Sequence, residues 1–313
     1  MEATKRPRQV PSSWFQNEDI YCKIVRYVEL PMQLALRLCN QMMHKNTTLW
    51  THKLCLNHTT NQTFLEMLDC AHVTSVLVVA GLPGRIQRTA MDKLSILNRI
   101  HSLSFQDSDC MRVNEQLVAS FCKISSHLRR LSLKRCAGII SLDGIPNMAR
   151  VEKMVLSPSS TNNTLMSLAR KCGFALKVLD GSIGCENIGN EGIQCIVLNC
   201  KELTTLTLIR APRIGMGSIR NILAELPWLR ILKVCYCDQV YTEDFVELIN
   251  VVRPPQLQSI TYASERQSQE VKIYQLNMLV RSCTNLTTLN FGQKKIWPRC
   301  PTRVNKFTRT SFI

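Results

Sequence analysis

The stretch His127-Leu128-Arg129-Arg130-Leu131-Ser132-Leu133 places apolar residues at 128, 131 and 133, and this L-x-x-L-x-L spacing returns along most of the chain. Clear copies are Leu203/Leu206/Leu208, Leu229/Leu232/Val234, Leu257/Ile260/Tyr262 and Leu286/Leu289/Phe291. Weaker copies are Val73/Val76/Val78, Ile100/Leu103/Phe105 and Val151/Met154/Leu156, and in the weakest, Leu176/Leu179, Gly181 holds the third place. The first positions of these nine copies are 27, 28, 23, 25, 27, 26, 28 and 29 residues apart. A period this regular makes each unit one supersecondary motif that cannot bury its apolar face alone. Units must therefore stack into a solenoid with a continuous core.

The residues behind each phrase are regular too. Cys136 and Cys237 come three residues after Leu133 and Val234. Apolar pairs five apart come next, at Ile140/Ile145, Ile188/Ile193, Ile214/Ile219 and Val240/Phe245. Three of them open a helical face: Ile193/Ile196/Val197, Ile219/Ile222/Leu223 and Phe245/Leu248/Ile249. Each unit thus reads as a strand, a turn and a helix. The L-x-x-L-x-L-x-x-C frame resembles leucine-rich repeats of the cysteine-containing type, from Val73 to Phe291. The expected fold class is α/β, a curved strand–helix solenoid with a parallel sheet on its concave side. On each strand the leucines point inward and the residues between them line that concave side. The lining reads Ser102, Ser104, Gln106; Arg130, Ser132, Lys134; Lys153, Val155, Ser157; Val178, Asp180, Ser182; Thr205, Thr207, Ile209; Ile231, Lys233, Cys235; then Ser259, Thr261, Thr288 and Asn290. It is small and polar, with a cationic patch at Arg130, Lys134 and Lys153. It holds no carboxylate pair, Ser-His-Asp set or histidine cluster, so the expectation is a docking surface and no enzyme. The patch suits a protein substrate with an acidic or phosphorylated segment.

The N-terminal stretch Glu18 to Met43 does not follow the repeat. Ile20, Lys23, Ile24, Tyr27 and Val28 share one helical face, and Leu34, Leu36, Leu38 and Cys39 continue after Pro31. The run Glu18-Asp19-Ile20-Tyr21-Cys22-Lys23-Ile24-Val25-Arg26-Tyr27-Val28, then Leu30, Leu34, Leu36, Leu38 and the pair Leu49-Trp50, resembles an F-box. That helical motif binds the Skp adaptor of cullin–RING ubiquitin ligases. Against the family pattern, Gln16-Asn17 stand where Leu-Pro leads, Met43 where a Trp closes the second helix, and Cys39-Asn40 where Val-Cys is usual. The resemblance implies a Skp-type adaptor and cullin as partners, with Ile20, Ile24, Leu34, Leu38 and Trp50 as adaptor contacts. The domains then run 1–14 (basic tail), 15–58 (F-box-like helical module), 59–292 (solenoid) and 293–313 (basic tail). A plain helical cap over the first repeat is the competing reading of residues 15–58, because solenoids need a polar-outside cover. The whole chain would then be a leucine-rich-repeat scaffold with no ligase role.

Composition limits the other classes. Hydrophobic residues are 45% and charged residues 20% of 313, which is ordinary globular usage. The longest apolar run, Val73 to Leu82, is far short of a membrane span. No secretory signal follows Lys5, Arg6 and Arg8, so the chain reads as intracellular, cytoplasmic and/or nuclear. Most of the fifteen cysteines then read as small buried hydrophobes rather than a disulfide framework, and the five Asn-x-Thr sequons have no role. His52, Cys55 and His58 have the spacing of half a metal site on a helix, but no second cluster completes four ligands. No metal or cofactor is expected. Half of the formal +16 lies in residues 1–10 and 292–313. These tails have little aromatic interleaving, so nucleic acid is not the expected partner. Gly81-Leu-Pro-Gly84 and Gly189-Asn-Glu-Gly192 lack the lysine of a phosphate loop and read as turns.

Overall fold

A computed structural model of the chain describes residues 49–296 apart from 51–52, 61, 63–64, 66–67, 70–72, 96–98, 109–110, 140, 147, 264–272 and 292–293. The strands are β1 (Leu49–Trp50), β2 (Lys53–Leu56), β3 (Leu68–Asp69), β4 (Ser75–Val79), β5 (Ser102–Gln106), β6 (Arg130–Arg135) and β7 (Lys153–Val155). They continue as β8 (Val178–Gly181), β9 (Thr205–Ile209), β10 (Ile231–Cys235), β11 (Ser259–Ala263), β12 (Thr288–Phe291) and β13 (Lys294–Ile296). The helices are α1 (Gly84–Ser95), α2 (Glu115–Lys123), α3 (Asn162–Cys172), α4 (Asn190–Asn199), α5 (Met216–Glu225), α6 (Thr242–Val252) and α7 (Ile273–Ser282). Strands β2 and β4 to β12 pair in chain order as one parallel ladder, and β13 closes its end antiparallel to β12. β1 pairs separately with β3.

Alternation drives the ladder. The repeat leucines occupy every second strand position and are buried, among them Leu103, Leu131, Leu133, Leu179, Leu206, Leu208, Leu232 and Leu289. Each is worth roughly 1.5–3 kcal/mol when fully removed from water. The helical triplets Ile193/Ile196/Val197, Ile219/Ile222/Leu223 and Phe245/Leu248/Ile249 are buried against them, as the spacing predicts. Tyr262 takes a leucine position on β11, stacks on Phe245 with ring centroids 4.8 Å apart, and donates its hydroxyl to the Val240 carbonyl at 2.7 Å. At the weakest copy the glycine has a steric cause. A Cβ on Gly181 would overlap the buried Cys185 thiol, which occupies the space of the missing leucine. Helix starts are tied from unit to unit. Asn162 Oδ1 accepts the Gly189 N–H at 2.7 Å, and Asn190 Oδ1 accepts the Gly215 N–H at 2.9 Å.

Three expectations are corrected. The ladder begins at Lys53, inside the segment assigned to a helical module ending at 58, and Leu49-Trp50 forms a strand. The sequence Lys53-Leu54-Cys55-Leu56 has strand alternation, with Leu54 and Leu56 fully buried. It escapes the repeat pattern because Thr51 stands at its first apolar place. The helix-based spacing of His52, Cys55 and His58 falls with it, since Cys55 is on β2. Second, among the described residues no helix joins β6 to β7. The 23-residue spacing leaves too little chain, and Ile139, Leu142, Ile145 and Met148 fill the core from an irregular loop. Third, Ser157 turns away from the lining row. It is buried, and its hydroxyl donates to the Ile139 carbonyl at 3.0 Å. The segment carrying Ile20, Ile24, Leu34 and Leu38 lies outside the described residues. No helix among the described residues is long and apolar enough to cross a membrane.

Candidate docking face

Ladder register aligns the outward residues into rows across the face opposite the helices. The first row reads Lys53, Ser75, Ser102, Arg130, Lys153, Val178, Thr205, Ile231, Ser259 and Thr288. The second reads Cys55, Leu77, Ser104, Ser132, Val155, Asp180, Thr207, Lys233, Thr261 and Asn290. Over β8 to β10 most of these positions carry β-branched side chains, which suit a pleated surface. Over β4 to β6 four of the six are serines. Short side chains there leave a depression of about 290 Å³, floored by Ser75, Ser102, Ser104 and Ser132 and walled by Lys53, Arg130 and Lys153. A second hollow of about 350 Å³ adjoins it at the strand starts, sharing Ser75, Ser102 and Arg130.

The electrostatics of this end are one-sided. Asp180 is the one carboxylate in the two rows among the described residues, and it accepts the Ser182 N–H at 3.0 Å. Glu152, just before β7, is taken by Arg129 at 3.6 Å and Lys177 at 3.5 Å. Among the described residues Arg130 and Lys153 have no carboxylate within ion-pair distance. Of the expected substrate contacts, the structure places Arg130 and Lys153 on paired neighbouring strands. Lys134 is separated from them. The register of β6 shifts between Ser132 and Arg135, so that Arg135 rather than Lys134 stands opposite Gln106. Lys134 is exposed and does not line the depression. Lys53 and Ser75, absent from the expected patch, do line it. Strand alternation at Lys53–Leu56 was the signal for Lys53.

The frame cysteines add no reactive group to this face. Cys136 and Cys237, in the frame position of the repeat, are buried and free. Burial raises their thiols to about 12 and about 11 respectively, which keeps both protonated at neutral pH. No group of His, Cys, Asp and Glu among the described residues has metal-binding geometry.

A parallel ladder of strand–turn units with buried L-x-x-L-x-L positions and a buried cysteine closing the frame decides the architecture. The fold is a leucine-rich-repeat solenoid. No family model matches the sequence, and no curated protein matches it. Solved structures do. The Rad7–Elc1 complex of yeast is similar at 16% identity and a TM-score of 0.51, over 75% of this chain and 68% of that one. The TLR13–ssRNA13 complex has 19% identity and a TM-score of 0.48, over 77% of this chain and 36% of that one. The leucine-rich repeat-containing protein LegL7 of Legionella pneumophila has 12% identity and a TM-score of 0.46, over 78% and 92%. At these identities the likeness is one of fold.

Proposed function

We propose that this leucine-rich-repeat protein is the substrate-recognition subunit of a Skp–cullin–F-box ubiquitin ligase. In this reading the segment ahead of the ladder holds a Skp-type adaptor through Ile20, Ile24, Leu34, Leu38 and Trp50. The open face of the sheet holds the protein to be modified. The chain itself does no chemistry. Its contribution is proximity, because tethering a substrate beside a charged ubiquitin carrier raises effective concentration. The observation that carries the reading is the order Glu18 to Val28, Leu30 to Leu38 and Leu49-Trp50 directly ahead of a repeat ladder with a polar, cationic open face. The proposed role belongs to the cytoplasm, the nucleus or both.

Affinity purification of the full chain followed by mass spectrometry tests this, with Ile24→Asp as the disrupting variant and Lys23→Ala as its neighbour control. The expected result is that Skp-type adaptor and cullin co-purify with wild type and Lys23→Ala and are lost with Ile24→Asp, at unchanged circular dichroism. Wild type that binds no adaptor at micromolar concentration sinks the ligase reading.

One observation favours a second reading, a protein-interaction scaffold without ligase role. β2 is the terminal strand of the described ladder, and a terminal strand needs cover against edge pairing. The segment before it is then a cap, consistent with Gln16-Asn17 and Met43 at positions where an F-box carries Leu-Pro and Trp.

A further inference from the structure

We propose that the depression over β2 to β7 is a phosphate pocket that takes one phosphorylated side chain of a protein partner. This rests on the reading of the open face as the substrate surface and commits it to one ligand chemistry. Lys53 and Arg130 stand three strands apart, roughly 14 Å at ordinary strand spacing, with only Ser75 and Ser102 in the first row between them. Two long cationic side chains thus flank a floor of short ones, and Lys153 stands beside Arg130 on the next strand. The hydroxyls of Ser75, Ser102 and Ser104 have no hydrogen-bond partner within the described part of the protein. They are donors pointing into a hollow.

That donor set selects the ligand. A phosphomonoester carries about −1.5 to −2 charge and three strong acceptor oxygens near neutral pH. Those oxygens can meet several cations and hydroxyls at once, and charge-assisted bonds of this kind are the strong ones. A carboxylate offers one charge and two coplanar oxygens, too few for three cations around a floor of hydroxyls. A nucleic-acid strand needs stacking platforms beside its phosphates, and the two outward rows hold no aromatic residue. Among the described residues no carboxylate lines the pocket: Asp180 lies beyond Val155, and Glu152 is held by Arg129 and Lys177. Leu77 and Val155 give the rim apolar ground for the residues flanking the phosphate.

The test uses the immobilised full chain and three degenerate peptide libraries that differ only at a central position: phosphoserine, serine or glutamate. The phosphoserine library should be retained about tenfold or more over the glutamate one, the scale of one or two added charge-assisted hydrogen bonds. Arg130→Gln and Lys153→Gln should each remove most of that preference. Lys134→Gln and Lys233→Gln, outside the pocket, should keep it. Ser102→Ala with Ser104→Ala should weaken it with no change of charge, which guards against a charge variant that merely misfolds; melting temperature is measured for every variant. Three outcomes overturn the proposal: equal retention of the glutamate library, equal loss with Lys134→Gln, or preference for polyuridylate over phosphopeptide. Adaptor capture, measured on the same preparations through Ile24→Asp, is independent of the pocket. Adaptor bound without phosphopeptide preference sinks the pocket alone, and the reverse sinks the ligase reading alone.

Discussion

Leu131 and Leu206 are fully buried in the middle of the ladder. Truncating either to Ala should lower stability by about 2–5 kcal/mol, read as a fall in the denaturant midpoint; an unmoved midpoint would place these side chains outside the core. Tyr262→Phe is a finer test. It keeps the stack on Phe245 and removes the 2.7 Å bond to Val240 together with the longer one, 3.4 Å, that the hydroxyl accepts from Thr242 Oγ1, and should cost about 1–2 kcal/mol because a buried carbonyl is left unpaired. The buried thiols predict a pH dependence. Burial raises Cys122, Cys136, Cys172, Cys185 and Cys200 to about 12 from an ordinary 9.0. Above pH 9 the unfolded chain therefore loses thiol protons that the folded chain keeps, and stability falls as pH rises. Under reducing conditions the midpoint at pH 10 should lie below that at pH 8, and Cys→Ala variants at these sites should flatten the difference. The inward leucines and the pairing of Arg130 with Lys153 were legible in the sequence, because alternation alone sets them. The tyrosine bond was not, since its acceptor is a carbonyl 22 residues away.

At the scale of elements, the stretch between β6 and β7 departs from the unit pattern, and its 23-residue spacing already announced the shortage of chain. Spacing does not show how the loop is fastened. Asp143 accepts from Ser167 at 2.7 Å and from Arg170 at 3.1 Å, both on α3, and holds Ser141 at 3.1 Å. The Ser167 hydroxyl, then that of Ser141, keep its carboxyl below the usual carboxylate range. Asp143→Ala should speed amide exchange across residues 141–146 while leaving the global melt nearly unmoved. Unchanged exchange there would mean that the buried Leu142 and Ile145, with Lys171 donating to the Ile145 carbonyl at 2.8 Å, hold the loop without the carboxylate. The register shift in β6 is the other feature hidden from a repeat pattern. A bulge inserts one residue without altering the leucine spacing, so Lys134 reads as a third patch residue and stands apart. Lys53 was concealed for the opposite reason: a single Thr51 breaks the phrase although the strand behind it is intact.

Over the whole molecule, each unit rests only on its neighbours, so stability is close to a sum along the chain. A lesion at the end and one in the middle should then differ in kind. Leu54→Ala, on the terminal strand, should add a small early step to denaturant unfolding. Leu206→Ala should shift the main transition instead. A single shared transition in both variants would show that the ladder unfolds as one block. Function is divided in the same linear way, with the proposed adaptor segment before β2 and the cationic hollow in the first units. The missing helix between β6 and β7 bears on that arrangement. Strands repeat every 4.7–4.9 Å, whereas packed helices need 8–10 Å, so a back layer of helices forces the front to bend. Where a loop replaces the helix, that wedge is removed. In engineering terms the described ladder is a curved beam with a thin section, and the section lies under the edge of the hollow that Arg130 and Lys153 share. Flexure of the beam would concentrate there, changing the span between the cations on either side, and a rigid ligand gripping both would act as a brace.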